Sequence, residues 1–167
     1  MTDEVSFALL LLRVVLGVTM ALHGLGKAKS LDGTAGWFDS MGMRPGWLHA
    51  RFAAFGEIAA GAALTLGFLT SFAALGFVGL MVVAGWTSHR HNGFFIIKEG
   101  WEYVMVLAVA AVAIAIIGPG DWSIDEAIGL ADGLDGWVGL AISAGGGVIA
   151  GVGLMAAFYR PPPTSTA

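Results

Sequence analysis

Five long apolar segments, separated by polar connections, constrain this chain more than any other feature of its sequence. They occupy residues 5–26, 52–69, 72–87, 103–117 and 136–159. A helix of about 20 apolar residues crosses the roughly 30 Å hydrocarbon core of a bilayer. Because 57% of the residues are hydrophobic and only 12% are charged, too few polar side chains remain to cover a water-soluble globule. The sequence therefore predicts an all-α integral membrane protein.

The basic residues between these segments alternate from one side to the other. The odd-numbered connections and the C-terminal end hold Lys27, Lys29, Arg44, Arg51, Arg90, Lys98 and Arg160. The N-terminus and the even-numbered connections hold only acidic charges: Asp3, Glu4, Asp121, Asp125, Glu126, Asp132 and Asp135. Since cytoplasmic connections are enriched in Lys and Arg, the pattern predicts five spans in the cell membrane, an outer N-terminus and a cytoplasmic C-terminus.

Composition and motifs exclude several classes of function. The net charge of −4 gives no basic footprint for nucleic acid. Without cysteine, the chain has no disulfide, no thiolate nucleophile and no cysteine-ligated metal. The glycine run 145–147 is not a GxGxxG motif that follows a strand, and no flavin, haem or nicotinamide motif is visible. We expect no covalent cofactor and no metal site.

Ionisable residues inside the apolar segments are the sharpest signal of chemistry, because each is costly in lipid unless it is paired or hydrated. We predict that Arg13 and Glu57 pair inside the bundle and face a pocket that His23, Lys27 and Tyr103 complete near the cytoplasmic side. Two alternatives stay open. The charged pair fixes helix register without binding a ligand, or His23 and Lys27 form an ordinary interfacial helix end.

The connection between the third and fourth segments supplies secondary candidates for this site. They are His89, His91, Asn92 and Glu102. The His-x-His spacing is compatible with a metal site, but it lies on a loop without a cysteine or a nearby carboxylate.

Small residues recur every four positions in the fifth segment: Gly139, Ser143, Gly147 and Gly151. Such a stripe lets two helices approach closely, but it does not identify the partner. Either the stripe packs against the chain's own bundle, or it docks a second protomer or another membrane subunit.

The order and spacing of the polar motifs resemble the DoxX family of small membrane proteins. The residues that carry the resemblance, which extends over about residues 9–125, are Arg13, His23-Gly24-x-x-Lys27, Gly56-Glu57-x-x-x-Gly61-x-x-Leu64-x-x-Gly67, His91-Asn92-Gly93-Phe94-Phe95 and Glu102-Tyr103. The resemblance implies a four-helix transmembrane bundle at residues 1–125. Residues 126–160 then add an outer acidic loop and a fifth, glycine-rich helix, and residues 161–167 form a disordered cytoplasmic tail.

The resemblance also implies a link to redox chemistry at the membrane, since relatives include a quinone-reducing thiosulfate oxidoreductase of archaea. A quinone headgroup needs hydrogen-bond donors and a proton source, and His23, Lys27, Glu57 and Tyr103 are residues of the right types. The first hypothesis is therefore a quinone-linked oxidoreductase subunit that receives electrons from a redox partner. The alternative is a non-catalytic accessory subunit that docks, or forms a homo-oligomer, through the fifth helix.

Overall fold

The computed structural model describes residues 1–161, and all the long elements in that range are helices, which are mainly α-helical and contain π-helical turns at Gly85–His89 and Ala141–Gly146. The predicted tail at 161–167 lies outside the described residues except for Pro161. The helices are α1 (Asp3–Ala28), α2 (Leu31–Ser40), α3 (Gly46–Leu66), α4 (Thr70–Asn92), α5 (Glu102–Ile117), α6 (Ile124–Ala127), α7 (Ala131–Leu134) and α8 (Gly136–Phe158). Each of the five apolar segments thus coincides with one long helix.

Three helices of the described part of the chain are long and apolar enough to cross a membrane: α1, α4 and α8. Helix α5 is apolar but has only 16 residues, roughly 24 Å of helix, which is shorter than a typical hydrocarbon core. Helix α3 has 21 residues but carries Arg51 and Glu57. The all-helical membrane architecture is confirmed, whereas the count of four plus one spans stays a prediction.

Helices α1 and α3 pack antiparallel through glycines on both sides. A Cβ atom at Gly17 would overlap the side chain of Thr65, and one at Gly24 would lie 2.5 Å from the carbonyl oxygen of Ala54. A Cβ atom at Gly61 would overlap the carbonyl oxygen of Gly17. The backbones of α1 and α3 are therefore in direct contact, and their register is fixed along the full length of the crossing.

Helix α4 lies at the centre of the bundle and contacts α3, α5 and α8. The fully buried side chains of Leu64, Phe77 and Ile114 belong to one apolar cluster at this centre. A tight turn connects α3 to α4, and Gly67 in this turn adopts the left-handed conformation with φ +64°. That conformation is easily reached by glycine and strained for other residues.

The small-residue stripe of α8 packs inside this bundle. All four of its residues, Gly139, Ser143, Gly147 and Gly151, are buried. Cβ atoms at the first and last of the three glycines would crowd the backbone of α5 at Ala115 and of α4 at Gly79. The stripe therefore packs against the chain's own bundle, which is the first of the two alternatives. Other residues, among them Val148, Ile149 and Val152, form the lipid-facing side of α8.

Apart from the buried Arg13, the Lys and Arg side chains lie toward one end of the bundle. We call the end with Lys27, Lys29, Arg44, Arg51, Arg90, Lys98 and Arg160 the basic end, and the end with Asp3, Glu4, Asp121, Asp125 and Asp135 the acidic end.

At the acidic end, Asp125 accepts hydrogen bonds from the backbone N–H of Leu69 (2.7 Å) and from both the N–H (2.8 Å) and the hydroxyl (2.7 Å) of Thr70. This carboxylate caps the start of α4, where N–H groups lack helical partners. Ser123 begins α6 by accepting a hydrogen bond from the N–H of Glu126.

Candidate functional site

An ion pair between α1 and α3 lies near the basic end. The Lys27 Nζ atom is 2.7 Å from Oε1 and 2.6 Å from Oε2 of Glu57. Glu57 is buried and Lys27 is partly exposed. The predicted pairing of Arg13 with Glu57 is therefore wrong, because Lys27 occupies both carboxylate oxygens.

Arg13 lies at the acidic end, far from this pair. It is fully buried and donates hydrogen bonds from Nη2 to the Trp122 carbonyl (2.7 Å) and from Nη1 to the Thr65 carbonyl (3.4 Å). Arg13 and Lys27 are about four turns apart on α1, roughly 20 Å. Arg13 thus ties α1 to the end of α3 and to the connection between α5 and α6, and it does not join a pocket with Glu57.

His23 and Tyr103 lie next to each other, but on the surface of the bundle and not in a pocket with Glu57. Their ring centroids are 6.5 Å apart, and both side chains are exposed. His23 lines a shallow depression together with Lys27 and Thr34. The structure therefore brings His23, Tyr103, Lys27 and Glu57 to one end of the bundle, with His23 and Tyr103 outside and Glu57 inside.

A cavity of about 310 Å³ lies behind the ion pair, and we call it the central cavity. Residues of α2, α3, α4 and α8, together with Lys27 of α1, line it, and most of its lining is apolar. Lys27, Glu57 and His49 line it alongside aromatic and aliphatic residues, which include Trp37, Phe38, Met41, Phe52, Leu75, Leu80 and Leu154. Apolar cavities of this size with a few polar groups are typical ligand sites.

His49 lines this cavity, although it was not among the site residues predicted from the sequence. It is 2% exposed, and its Nε2 atom has no hydrogen-bond partner among the described residues. The imidazole packs between the rings of Phe38 and Phe158, with centroid distances of 6.0 and 5.1 Å. The sequence spacing could have placed His49 beside Glu57, because residues eight apart lie near one face of a helix.

The secondary candidates hold the loop between α4 and α5 together. His89 Nδ1 lies 2.6 Å from the Glu99 carbonyl, and Glu102 accepts a hydrogen bond from the N–H of Ile96 at 2.9 Å. The Asn92 amide donates to the same Glu99 carbonyl at 3.3 Å, whereas His91 accepts a hydrogen bond from Arg90. Between residues 1 and 161, no group of three or more His, Asp or Glu side chains is arranged to hold a metal ion.

This arrangement favours a ligand with a flat apolar body and a polar oxygen. A buried polar atom without a partner costs free energy, and a ligand that completes its hydrogen bond recovers that cost. The Nε2 atom of His49 supplies such a group inside apolar walls. The ion pair of Lys27 and Glu57 adds a proton donor and a proton acceptor on the wall formed by α1 and α3.

Comparison with known proteins gives one match. The model of the family described as DoxX matches residues 8–90, a segment that contains Lys27, His49 and Glu57 and ends within α4. No curated protein matches the chain. No solved structure matches it either.

Proposed function

We propose that this chain, whose residues 8–90 belong to the DoxX family of membrane proteins, binds a quinone headgroup in the central cavity and acts as the membrane subunit of a quinone-linked redox system. The observation that carries the proposal is the unpartnered Nε2 atom of His49 in an apolar cavity. A quinone has a flat ring for apolar walls and carbonyl oxygens that accept hydrogen bonds. When bound, a quinone supplies reversible uptake of electrons and protons.

The residues of the cavity have separable roles in this proposal. Nε2 of His49 orients the ring: in the Nε2–H tautomer it donates a hydrogen bond to a quinone carbonyl oxygen, and in the other tautomer it accepts one from the hydroxyl of the reduced quinone. Phe38 and Phe52 supply apolar walls for the ring on the side of α2 and α3. Since a polar interaction is stronger beside apolar walls than in water, one hydrogen bond to His49 is enough to select an orientation.

Lys27 and Glu57 provide a route for protons. Lys27 lines both the central cavity and the shallow depression that holds His23. In this route Lys27 Nζ donates a proton to Glu57 Oε2, which lies 2.6 Å away, and Lys27 is then reprotonated from the depression that it also lines. Such positioned donors and acceptors are what proton transfer requires.

The electrons come from a redox partner in this proposal, since no flavin, haem or nicotinamide motif was found in the sequence. The second candidate function, a non-catalytic accessory subunit, is favoured by the exposed apolar side of α8 at Val148, Ile149 and Val152. The small-residue stripe itself is buried, so a docking surface on α8 would use this opposite side. Quinone binding distinguishes the two candidates, because an accessory subunit does not require it.

Replacing His49 by leucine should weaken quinone binding while the chain remains folded. The test measures the rise in melting temperature of the detergent-solubilised protein on titration with decylubiquinone, since a ligand that binds the folded state raises stability. Loss of one buried hydrogen bond of about 0.5–1.5 kcal/mol corresponds to an affinity roughly two- to tenfold lower. The matched control is His91→Leu, which changes an exposed histidine outside the cavity. Equal quinone affinities for both variants would contradict the role of His49.

The orientation belongs to the same proposal. We propose five spans in the cell membrane with the basic end in the cytoplasm, because the N-terminus and the even-numbered connections carry no Lys or Arg. Reporter fusions after Arg160 and within residues 121–135 should then report opposite compartments. The same compartment for both fusions would show that the number of spans after α5 is wrong.

A further inference from the structure

A second, wider space of about 850 Å³ lies between α4, α5 and α8, and we call it the lateral groove. Its walls are apolar along most of its length, for example at Met105, Ala108 and Val152. The polar part lies at the basic end, where Trp86, Trp101, Tyr159 and Arg90 form the rim. The groove is separate from the central cavity and shares no lining residue with it.

Arg90 is placed for a ligand outside the protein. Its guanidinium carbon lies 3.9 Å from the centroid of the Trp86 ring, and its Nε donates to His91 at 3.0 Å. Within residues 1–161, neither terminal nitrogen of Arg90 has a hydrogen-bond partner, and no carboxylate lies within salt-bridge distance. The planar fork of an arginine, left free in this way, fits the oxygens of a phosphate group.

Helix α4 departs from regular α-helical geometry where it forms this rim. Residues Gly85–His89 make a wider π-helical turn, and both Gly85 and Trp86 line the groove. Such turns interrupt the regular helix and are frequent at functional sites. From the rim, the apolar walls extend about two helical turns, roughly 10 Å, to Ala108 on α5 and Val152 on α8.

We propose that the lateral groove binds an anionic phospholipid, with the phosphate on the Arg90 guanidinium and one acyl chain along the apolar walls. The depth and apolar lining of the groove fit an acyl chain, and the unpaired positive charge at the rim fits an anionic headgroup. Basic pockets between transmembrane helices bind anionic headgroups elsewhere. Tryptophans such as Trp86 and Trp101 are typical of the level at which headgroups lie.

The test compares Arg90→Gln with Arg51→Gln in the full chain. Arg51 is a matched control, because it also lies at the basic end and over a tryptophan, Trp47, with 5.8 Å to the ring centroid, but outside the groove. The melting temperature of the detergent-solubilised protein is measured during titration with phosphatidylglycerol, with phosphatidylcholine and with inorganic phosphate. A filling variant, Val152→Trp, blocks the acyl-chain part and leaves Arg90 in place.

We expect phosphatidylglycerol to stabilise the wild type more than phosphatidylcholine does, and inorganic phosphate to have no such effect. Arg90→Gln should lower the apparent affinity for phosphatidylglycerol about fivefold, the weight of one basic residue near an anionic lipid surface, whereas Arg51→Gln should retain it. Val152→Trp should lower it as well. The proposal is overturned if both arginine variants lose affinity equally, if the two lipids are equivalent, or if inorganic phosphate alone reproduces the stabilisation.

Discussion

Replacing Lys27 by methionine should lower the free energy of unfolding by about 3 kcal/mol, because it leaves the carboxylate of Glu57 buried without its partner. Both Glu57 oxygens contact Lys27 Nζ at 2.6–2.7 Å. The opposite change, Glu57→Met, should cost less, since Lys27 is partly exposed and its long side chain reaches the polar boundary. Equilibrium unfolding of the purified protein in mixed detergent micelles gives both values.

The double variant with methionine at both positions should recover part of the loss, since it leaves no uncompensated charge. Lys29→Met is the matched control, because Lys29 is an exposed lysine at the C-terminal cap of the same helix. Combining Arg13→Gln with Glu57→Gln should give additive losses, because these residues are not in contact. A recovery in the Arg13 and Glu57 pair, together with additivity in the Lys27 and Glu57 pair, would refute the ion pair described here.

Replacing Gly61 by leucine should destabilise the bundle by about 3 kcal/mol, at the upper end of the usual cost of overpacking. A Cβ atom there would overlap the Gly17 carbonyl oxygen and lie 2.7 Å from the Ala21 backbone nitrogen. Because these contacts are with backbone and not with a flexible side chain, α1 and α3 must move apart. That separation also breaks the register that joins Lys27 to Glu57. The same unfolding titration measures the effect.

Gly56→Leu is the matched control for that substitution, because Gly56 lies on the same helix with no heavy atom within 4 Å of an added Cβ. Leucine favours helix over glycine by up to about 1 kcal/mol, so this variant should be neutral or more stable. If Gly56→Leu and Gly61→Leu lowered stability equally, the close crossing of α1 and α3 would be disproved.

The sequence predicted the helices well because transmembrane segments are marked by length and hydropathy alone. All five apolar segments lie on long helices, and of the residues predicted to share one pocket, Lys27 and Glu57 are in contact whereas Arg13 is not. The number of membrane-spanning helices is harder to predict, because α5 is short and α3 carries charges that only the packed structure compensates.

The predicted pairing of Arg13 with Glu57 was wrong because of how α1 and α3 are aligned along each other. In the antiparallel crossing, Gly24 faces Ala54 and Glu57, while Arg13 faces Gly67. Glu57 is therefore opposite the segment that ends in Lys27. The position of each residue along its helix follows from the rise of 1.5 Å per residue. If α1 and α3 are antiparallel neighbours, these positions place Glu57 closer to Lys27 than to Arg13.

Two further features depend on tertiary contacts that no local pattern encodes. Asp125 caps α4 from 55 residues away in the chain, although its position suggested only a loop charge. His49 is buried because α2 and α8 cover it with Phe38 and Phe158, whereas its place in the sequence is that of a helix end near the interface. Only the packing of α2 and α8 over α3 turns this residue into a cavity wall.

Photolabelling with an azido-quinone tests the central claim most directly, since it reports where a quinone lies in the intact protein. The full chain is reconstituted in liposomes, illuminated with the probe, and the labelled peptides are identified by mass spectrometry. The account predicts labels on the lining of the central cavity, around Phe38, Met41 and His49, and their loss when unlabelled decylubiquinone competes. Labels confined to the lateral groove or to lipid-facing residues such as Ile149, or labels that competition does not remove, would contradict quinone binding in the central cavity.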